Sequence, residues 1–168
     1  MASTTDENIN KPIAIAIVGY KGAGKTTLLN NCLSKNYTVK HKEEEYCELI
    51  LRTNSGSVML NVTATDDVST LIGKNFDVVI LISDVSNANM AVEFNALYER
   101  TERCLGYSNF KIVNCFNKID IKDKDTYIFD TALPTFDISA KNNKGVHEML
   151  EFIVRIETKK KHFYILIE

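Results

Sequence analysis

The sequence has little that would direct it to a membrane, a metal cluster or a nucleic acid. No segment approaches the ~20 consecutive apolar residues of a membrane span, and the polar residues 3–10 contain no apolar leader core. Ala2 stands where a myristoylated glycine would be, and the last four residues, Ile165-Leu166-Ile167-Glu168, include no cysteine to prenylate, so no membrane anchor is expected. Cys32, Cys47, Cys104 and Cys115 are scattered without a C-x-x-C pair. That pattern argues against a zinc site or a disulfide framework and for reduced thiols in a cytoplasmic or nuclear setting. The formal net charge of −2 provides no global basic footprint, so no DNA partner is expected.

What is present suits one ordinary domain. The 168 residues are 45% hydrophobic and 25% charged, enough to bury a core without cross-links. Residues 1–10 read as a disordered lead, 11–160 as the domain and 161–168 as an apolar tail. Residues 13–18 form a continuous apolar run, as in a buried parallel strand. A glycine-rich turn follows, then a helix over about 25–34. Residues 35–45 are polar and charged and read as a loop. Two strand-like runs, 46–52 and 57–62, flank Thr53-Asn54-Ser55-Gly56 and signal a hairpin. Residues 63–75 read as a second loop with room for a short helix. Further strands are expected at 78–82, 110–116 and 136–138. Helices are expected at 88–104, with Met90, Phe94, Leu97 and Tyr98 at helical spacing, and at 145 to about 160. The second carries Val146, Met149, Leu150, Ile153 and Ile156 on one face. The alternation predicts an α/β fold with a mostly parallel six-stranded sheet, one antiparallel edge strand and helices on both faces.

Gly19-Tyr20-Lys21-Gly22-Ala23-Gly24-Lys25-Thr26 fits G-x-x-x-x-G-K-[ST] between a strand and a helix. Glycines let successive backbone N–H groups converge on phosphate oxygens, and the following helix turns its positive end toward them. Gly19, Lys21, Gly22, Ala23, Gly24, Lys25, Thr26 and Thr27 are therefore candidate phosphate-binding residues. Lys25 supplies charge at the β- and γ-phosphates, and the Thr26 hydroxyl is a ligand for Mg²⁺.

Asn117-Lys118-Ile119-Asp120 follows the strand at 110–116. An ionised Asp120 has only acceptors, matching the adjacent N1–H and 2-amino donors of guanine. Adenine lacks both donors, and a site left with unpaired polar groups rejects the wrong base by roughly 10⁴- to 10⁵-fold. Lys118 can lay its alkyl stem along the base, and Asn117 can tie this clamp to the phosphate loop. Ser139-Ala140-Lys141 follows the next strand, where the Ala140 amide is expected to donate to the guanine 6-oxygen.

On these residues the chain resembles the Ras-superfamily small GTPases over residues 12–157. Within them it is most similar to the Ran branch, through Gly24-Lys25-Thr26-Thr27, Thr53-Asn54-Ser55-Gly56 with Asn61-Val62, Asp84-Val85-Ser86, Asn117-Lys118-Ile119-Asp120-Ile121-Lys122-Asp123 and Asp137-Ile138-Ser139-Ala140-Lys141. The resemblance implies the P-loop G-domain fold and GTP or GDP with Mg²⁺ as cofactors. It also implies nuclear-transport receptors or Ran regulators as partners, with cytoplasmic or nuclear residence. A monomer is the default.

The departures cluster around hydrolysis. An ungapped alignment from the hairpin puts Ala64-Thr65-Asp66-Asp67 at the family's D-x-x-G, followed by Val68 instead of the water-orienting glutamine. Asp66 or Asp67 takes over the Mg²⁺ role if the loop shifts. Val39-Lys40-His41-Lys42 stand near the first switch threonine, with Thr38 displaced. Lys21 replaces the usual glycine at the third loop position, where a side chain crowds an incoming arginine finger. The stretches 64–78 and 121–133 are short, reducing two family helices to turns. Lys25 remains for charge stabilisation, but no water-orienting residue is found. The expectation is a guanine-nucleotide binder with slow or absent intrinsic hydrolysis, a possible weak GTPase. The alternative is a pseudo-GTPase interaction module that mimics Ran or sequesters its transport partners.

Overall fold

The computed structural model describes residues 11–106, 110–121 and 131–163, with side chains described as far as residue 159. The expected lead at 1–10, the Lys122-Asp123 segment, the basic side chains beyond Lys159 and residues 164–168 of the apolar tail lie outside the described residues.

Strand β1 (Ile13–Val18) is buried almost throughout, as its apolar run requires. It leads through the phosphate loop into helix α1, which is π-helical over Thr27–Leu33 and α-helical over Ser34–Asn36. Then come β2 (Thr38–Lys42), β3 (Tyr46–Thr53), β4 (Gly56–Thr65), a 3₁₀ turn at Val68–Leu71 and β5 (Val78–Asp84). Helix α2 (Met90–Leu105), β6 (Lys111–Asn117), β7 (Thr135–Asp137) and α3 (Val146–Phe163) complete the order.

The sheet has seven strands in the order β2-β3-β4-β1-β5-β6-β7. Strand β3 pairs antiparallel with both β2 and β4, whereas β4, β1, β5, β6 and β7 run parallel to one another. The α/β G-domain class holds, with one correction: the sheet has a seventh strand, because residues 38–42 are an edge strand rather than loop. Of that strand only Val39 packs against the core, and its exposed lysines guard an open edge. Such a strand carries no apolar period to read. The hairpin is as expected, with Thr53 opposite Gly56 and the Thr53 hydroxyl donating to the Gly56 carbonyl at 2.8 Å.

Two cores cover the two faces. On one, Leu28, Leu29, Cys32 and Leu33 of α1 and Met149, Leu150 and Ile153 of α3 pack on Ile15, Ile17, Ile80 and Val113. On the other, Phe94 and Leu97 of α2 and Val68 and Leu71 of the 3₁₀ turn pack on Ala16, Val18, Val79 and Leu81. Phe94, Leu97, Val146, Met149, Leu150 and Ile153 lie on these faces as expected and Tyr98 packs half-buried on the second, but Met90 joins a small separate cluster with Val85 and Phe116, and Val154 is buried where Ile156 was expected. Among the described residues no helix is long and apolar enough to cross a membrane.

This topology decides where a ligand can sit. The connection after β1 leaves toward β4, and the chain later crosses to β5 on the other side, so the end of β1 is a topological switch point. Open α/β sheets bind ligands at the carboxyl ends of strands at such a point. The carboxyl ends of β1, β4, β5, β6 and β7 carry, in turn, the phosphate loop, Asp66, Asp84, Asn117 and Ser139.

Candidate nucleotide site

The phosphate loop is shaped by its neighbours as much as by its own sequence. The Gly19 amide donates to Thr65 O at 3.4 Å and the Ala23 amide to Tyr20 O at 3.1 Å. A Cβ on Gly19 would lie 2.6 Å from both the Cγ2 and the carbonyl oxygen of Ile82, so β5 packs where a side chain would be. Gly24 has φ +101°, and a Cβ there would run into the Asn117 carboxamide. Glycine is required at Gly24 on two counts, conformation and space. Leu28 N–H donates back to Gly24 O at 2.9 Å, starting the helix immediately behind the loop.

Lys25 Nζ donates to Gly19 O at 2.6 Å and to Tyr20 O at 2.9 Å, which centres its ammonium over the loop. Burial lowers its pKa from the ordinary lysine value, and the negative charges of Asp66 and Glu45 oppose that shift. A cleft of about 420 Å³ opens here, lined by Lys21, Gly22, Gly24, Lys25, Thr26 and Thr27 together with Glu45, Asp66 and Lys118. Its size lies within the ~300–1,000 Å³ usual for ligand clefts. Three lysines against two carboxylates suit a phosphate chain accompanied by a cation.

The second half of the constellation converges on Asn117. This residue is 2% exposed. Its Nδ2 donates to Ala23 O at 3.0 Å and its Oδ1 accepts the Ala140 N–H at 3.0 Å. It therefore ties the phosphate loop to the Ser139-Ala140-Lys141 turn, as its place in the sequence suggests. The Ala140 amide, expected to donate to a guanine oxygen, here donates to Asn117. Ser139 is buried, and its hydroxyl donates to Asp120 Oδ1 at 2.7 Å, fixing an otherwise exposed carboxylate. Lys141 projects into solvent. Lys118, with φ +70°, pairs through Nζ with Asp84 Oδ2 at 2.6 Å.

The two candidate metal carboxylates separate. Val18 pairs with Thr65 in the β1–β4 register, so Asp66 follows β4 beside the start of the phosphate loop and lines the cleft. Asp67 is engaged elsewhere: its Oδ1 accepts Ser69 N–H at 3.0 Å and Ser69 Oγ at 2.8 Å and pairs with Arg100 at 3.0 Å. Asp67 is thus a cap for the 3₁₀ turn. Counting from Asp66, Ser69 and Thr70 take the places of the family's glycine and glutamine. Thr38 opens β2 opposite Ile50 and faces a different cleft, with Asn36, Tyr37 and His147. Among the described residues no group of three or more His, Cys, Asp or Glu side chains is arranged to hold a metal. A Mg²⁺ ion here would draw on Thr26, one carboxylate and phosphate oxygens, the usual Mg²⁺ arrangement with phosphates.

Sequence reasoning assigned no role to two residues at this site. Glu45 sits on the β2–β3 connection, where Glu43 N–H donates to Tyr46 O at 2.8 Å and Ala64 N–H to Glu45 O at 2.9 Å. Asp84 pairs with the clamp lysine. Its position, the last residue of a buried parallel strand, was the available signal.

No family model matches the sequence. The chain is 30% identical over 165 residues to a protein named GTPase HflX from Lacrimispora saccharolytica, a match covering 88% of this chain and 39% of that protein. It is 28% identical over 169 residues to a GTPase HflX from Thermofilum pendens, covering 87% of this chain and 40% of that one. These similarities support a place in the P-loop GTPase superfamily. It spans about two fifths of the length of the curated relatives it matches. Both relatives carry the HflX name, so the similarity supports the GTPase superfamily and not the Ran branch suggested by short segments.

Proposed function

We propose that this GTPase-superfamily domain binds GTP and GDP with Mg²⁺ and hydrolyses GTP slowly or not at all. The observation that carries the binding half is the double hydrogen bond of buried Asn117, which joins the phosphate loop to the base-side turns. In this reading Asp120, oriented by Ser139, accepts both donors of the guanine edge. Lys118 lays its stem along the base. The loop amides and Lys25 hold the β- and γ-phosphates. Thr26 and Asp66 hold Mg²⁺, which neutralises phosphate charge when bound.

The slow-hydrolysis half rests on the residues just after Asp66. The Thr70 hydroxyl donates to Asp67 O at 2.7 Å and lies 3.1 Å from Thr65 Oγ1, so it is committed within its own turn. It lacks the reach of a glutamine for orienting an attacking water. The Lys21 side chain lines the cleft where a partner's arginine would enter. A module acting on Ran-type transport partners draws on the short sequence segments alone, and the relatives give it no support. Pull-down of transport receptors with GDP- and GTP-loaded protein tests it.

The deciding experiment is to denature the purified protein and chromatograph the released nucleotide, beside an Asp120→Ala control. Guanine nucleotide from the wild type, absent from the control, is expected. No nucleotide, with no binding when GTP and Mg²⁺ are added back, overturns the reading. Turnover at the rate of an ordinary small GTPase overturns the hydrolysis half alone.

A further inference from the structure

We infer that Asp84 is a positioning residue for the purine subsite: it fixes the Lys118 side chain as a preformed wall against which the base stacks. The inference rests on the guanine-nucleotide reading of the site.

Asp84 and Lys118 come from adjacent parallel strands. Asp84 is in register with Asn117, and Val85 N–H donates to Asn117 O at 3.0 Å, so the two strand ends are locked before their side chains meet. Asp84 then divides its carboxylate. Oδ1 accepts Ser86 N–H at 2.8 Å and Ser86 Oγ at 2.6 Å, and Oδ2 accepts Lys118 Nζ at 2.6 Å. The side chains of Lys118 and Asp84 are 30% and 17% exposed, which spares this pair much of the solvent screening that weakens surface ion pairs.

The direction of Lys118 gives the pair its use. Its backbone is left-handed (φ +70°), an uncommon conformation for a side-chain-bearing residue. Its Cε lies 4.0 Å from where a Gly24 Cβ would be. The lysine stem therefore lies beside the phosphate loop at Gly24, with its ammonium anchored by Asp84. A lysine with a free ammonium samples many rotamers and would have to be ordered on binding. Here the methylene face is set in advance, and preorganisation of this kind raises affinity without new contacts. The charge of Lys118 is balanced by Asp84, leaving Lys21 and Lys25 for the phosphates.

The test measures two ligands on the same protein: fluorescent GDP with Mg²⁺, and inorganic pyrophosphate with Mg²⁺. Asp84→Asn is expected to weaken GDP by about 10- to 100-fold, the scale of one oriented charge-assisted hydrogen bond, and to leave pyrophosphate within about twofold. Ser86→Ala, which keeps both charges and removes one anchor, should weaken GDP less. In a Lys118→Met background, Asp84→Asn should cost nothing further, because Asp84 acts through Lys118. Unchanged GDP affinity in Asp84→Asn overturns the inference. So does equal loss of both ligands, or a full additional loss in the Lys118→Met background. Wild-type protein that binds pyrophosphate but not GDP overturns the guanine reading itself, and the inference with it.

Discussion

Asn117 and Ala23 stand far apart in sequence, yet the Asn117 carboxamide donates to the Ala23 carbonyl at 3.0 Å inside the protein. The phosphate loop is thereby hung from the end of β6, and the second half of the same carboxamide holds the Ala140 turn. One buried side chain thus sets the spacing between the phosphate loop and the Ser139-Ala140-Lys141 turn.

Asn117→Ala should accordingly damage stability and binding together. It orphans a buried carbonyl and a buried amide, each costing about 1–3 kcal/mol when left unpaired. A loss of roughly 2–4 kcal/mol is expected from the urea midpoint, with no copurifying nucleotide. A variant of wild-type stability would mean that water or a neighbouring group replaces both bonds.

Gly24→Ala separates space from backbone conformation. The added methyl meets the Asn117 carboxamide at a left-handed backbone position, so the loop must shift away from the residue that suspends it. Nucleotide retention should fall by about 100-fold or more, as a displacement near 1 Å is enough for such an effect at a preorganised site. Gly73→Ala is the comparison. Gly73 is also left-handed, at φ +79°, but has nothing within 4 Å of the added methyl. It should cost about 1 kcal/mol of stability and leave nucleotide affinity unchanged.

The phosphate loop and the clamp were legible because their chemistry demands particular residues at short spacing. Strands β1 and β5 were legible because burial on both faces leaves an unbroken apolar run. The features that escaped depend on pairing between distant segments. Strand β2 places only Val39 against the core, so nothing in Thr38-Val39-Lys40-His41-Lys42 separates it from a loop. Asp66 could not be chosen over Asp67 until the β1–β4 register fixed where β4 ends, three residues beyond the expected Val62. The Asp84–Lys118 pair required β5 and β6 to be neighbours. The Asn117–Ala140 hydrogen bond likewise required β6 and the turn after β7 to be neighbours.

The division of labour between the two adjacent aspartates can be read from metal dependence. Asp66→Asn removes the carboxylate from the cleft and should reduce the stabilisation of bound GDP by Mg²⁺ about tenfold or more, measured as the ratio of release rates with and without EDTA. Asp67→Asn should leave that ratio within about twofold, since its partners are Ser69 and Arg100. The opposite ranking would show that the loop rearranges around the metal.

Acid sensitivity offers an independent view of Asp84. Burial raises its pKa, but the hydrogen bonds from Lys118 and Ser86 and the charge of Lys118 outweigh that effect and hold the carboxyl below its ordinary 3.8. A carboxylate with a depressed folded-state pKa stabilises the fold fully above its unfolded value, and this contribution disappears as pH falls through the folded value. The melting-temperature gap between wild type and Asp84→Asn should therefore be steady from about pH 7 to about pH 5. It should narrow below about pH 4, where the unfolded carboxylate begins to protonate. A gap that instead widened on acidification would mean that the folded protein holds Asp84 as the neutral acid. The 2.6 Å contact would then be a hydrogen bond from Lys118 to an uncharged carboxyl, and the base-side wall would lack its ionic anchor.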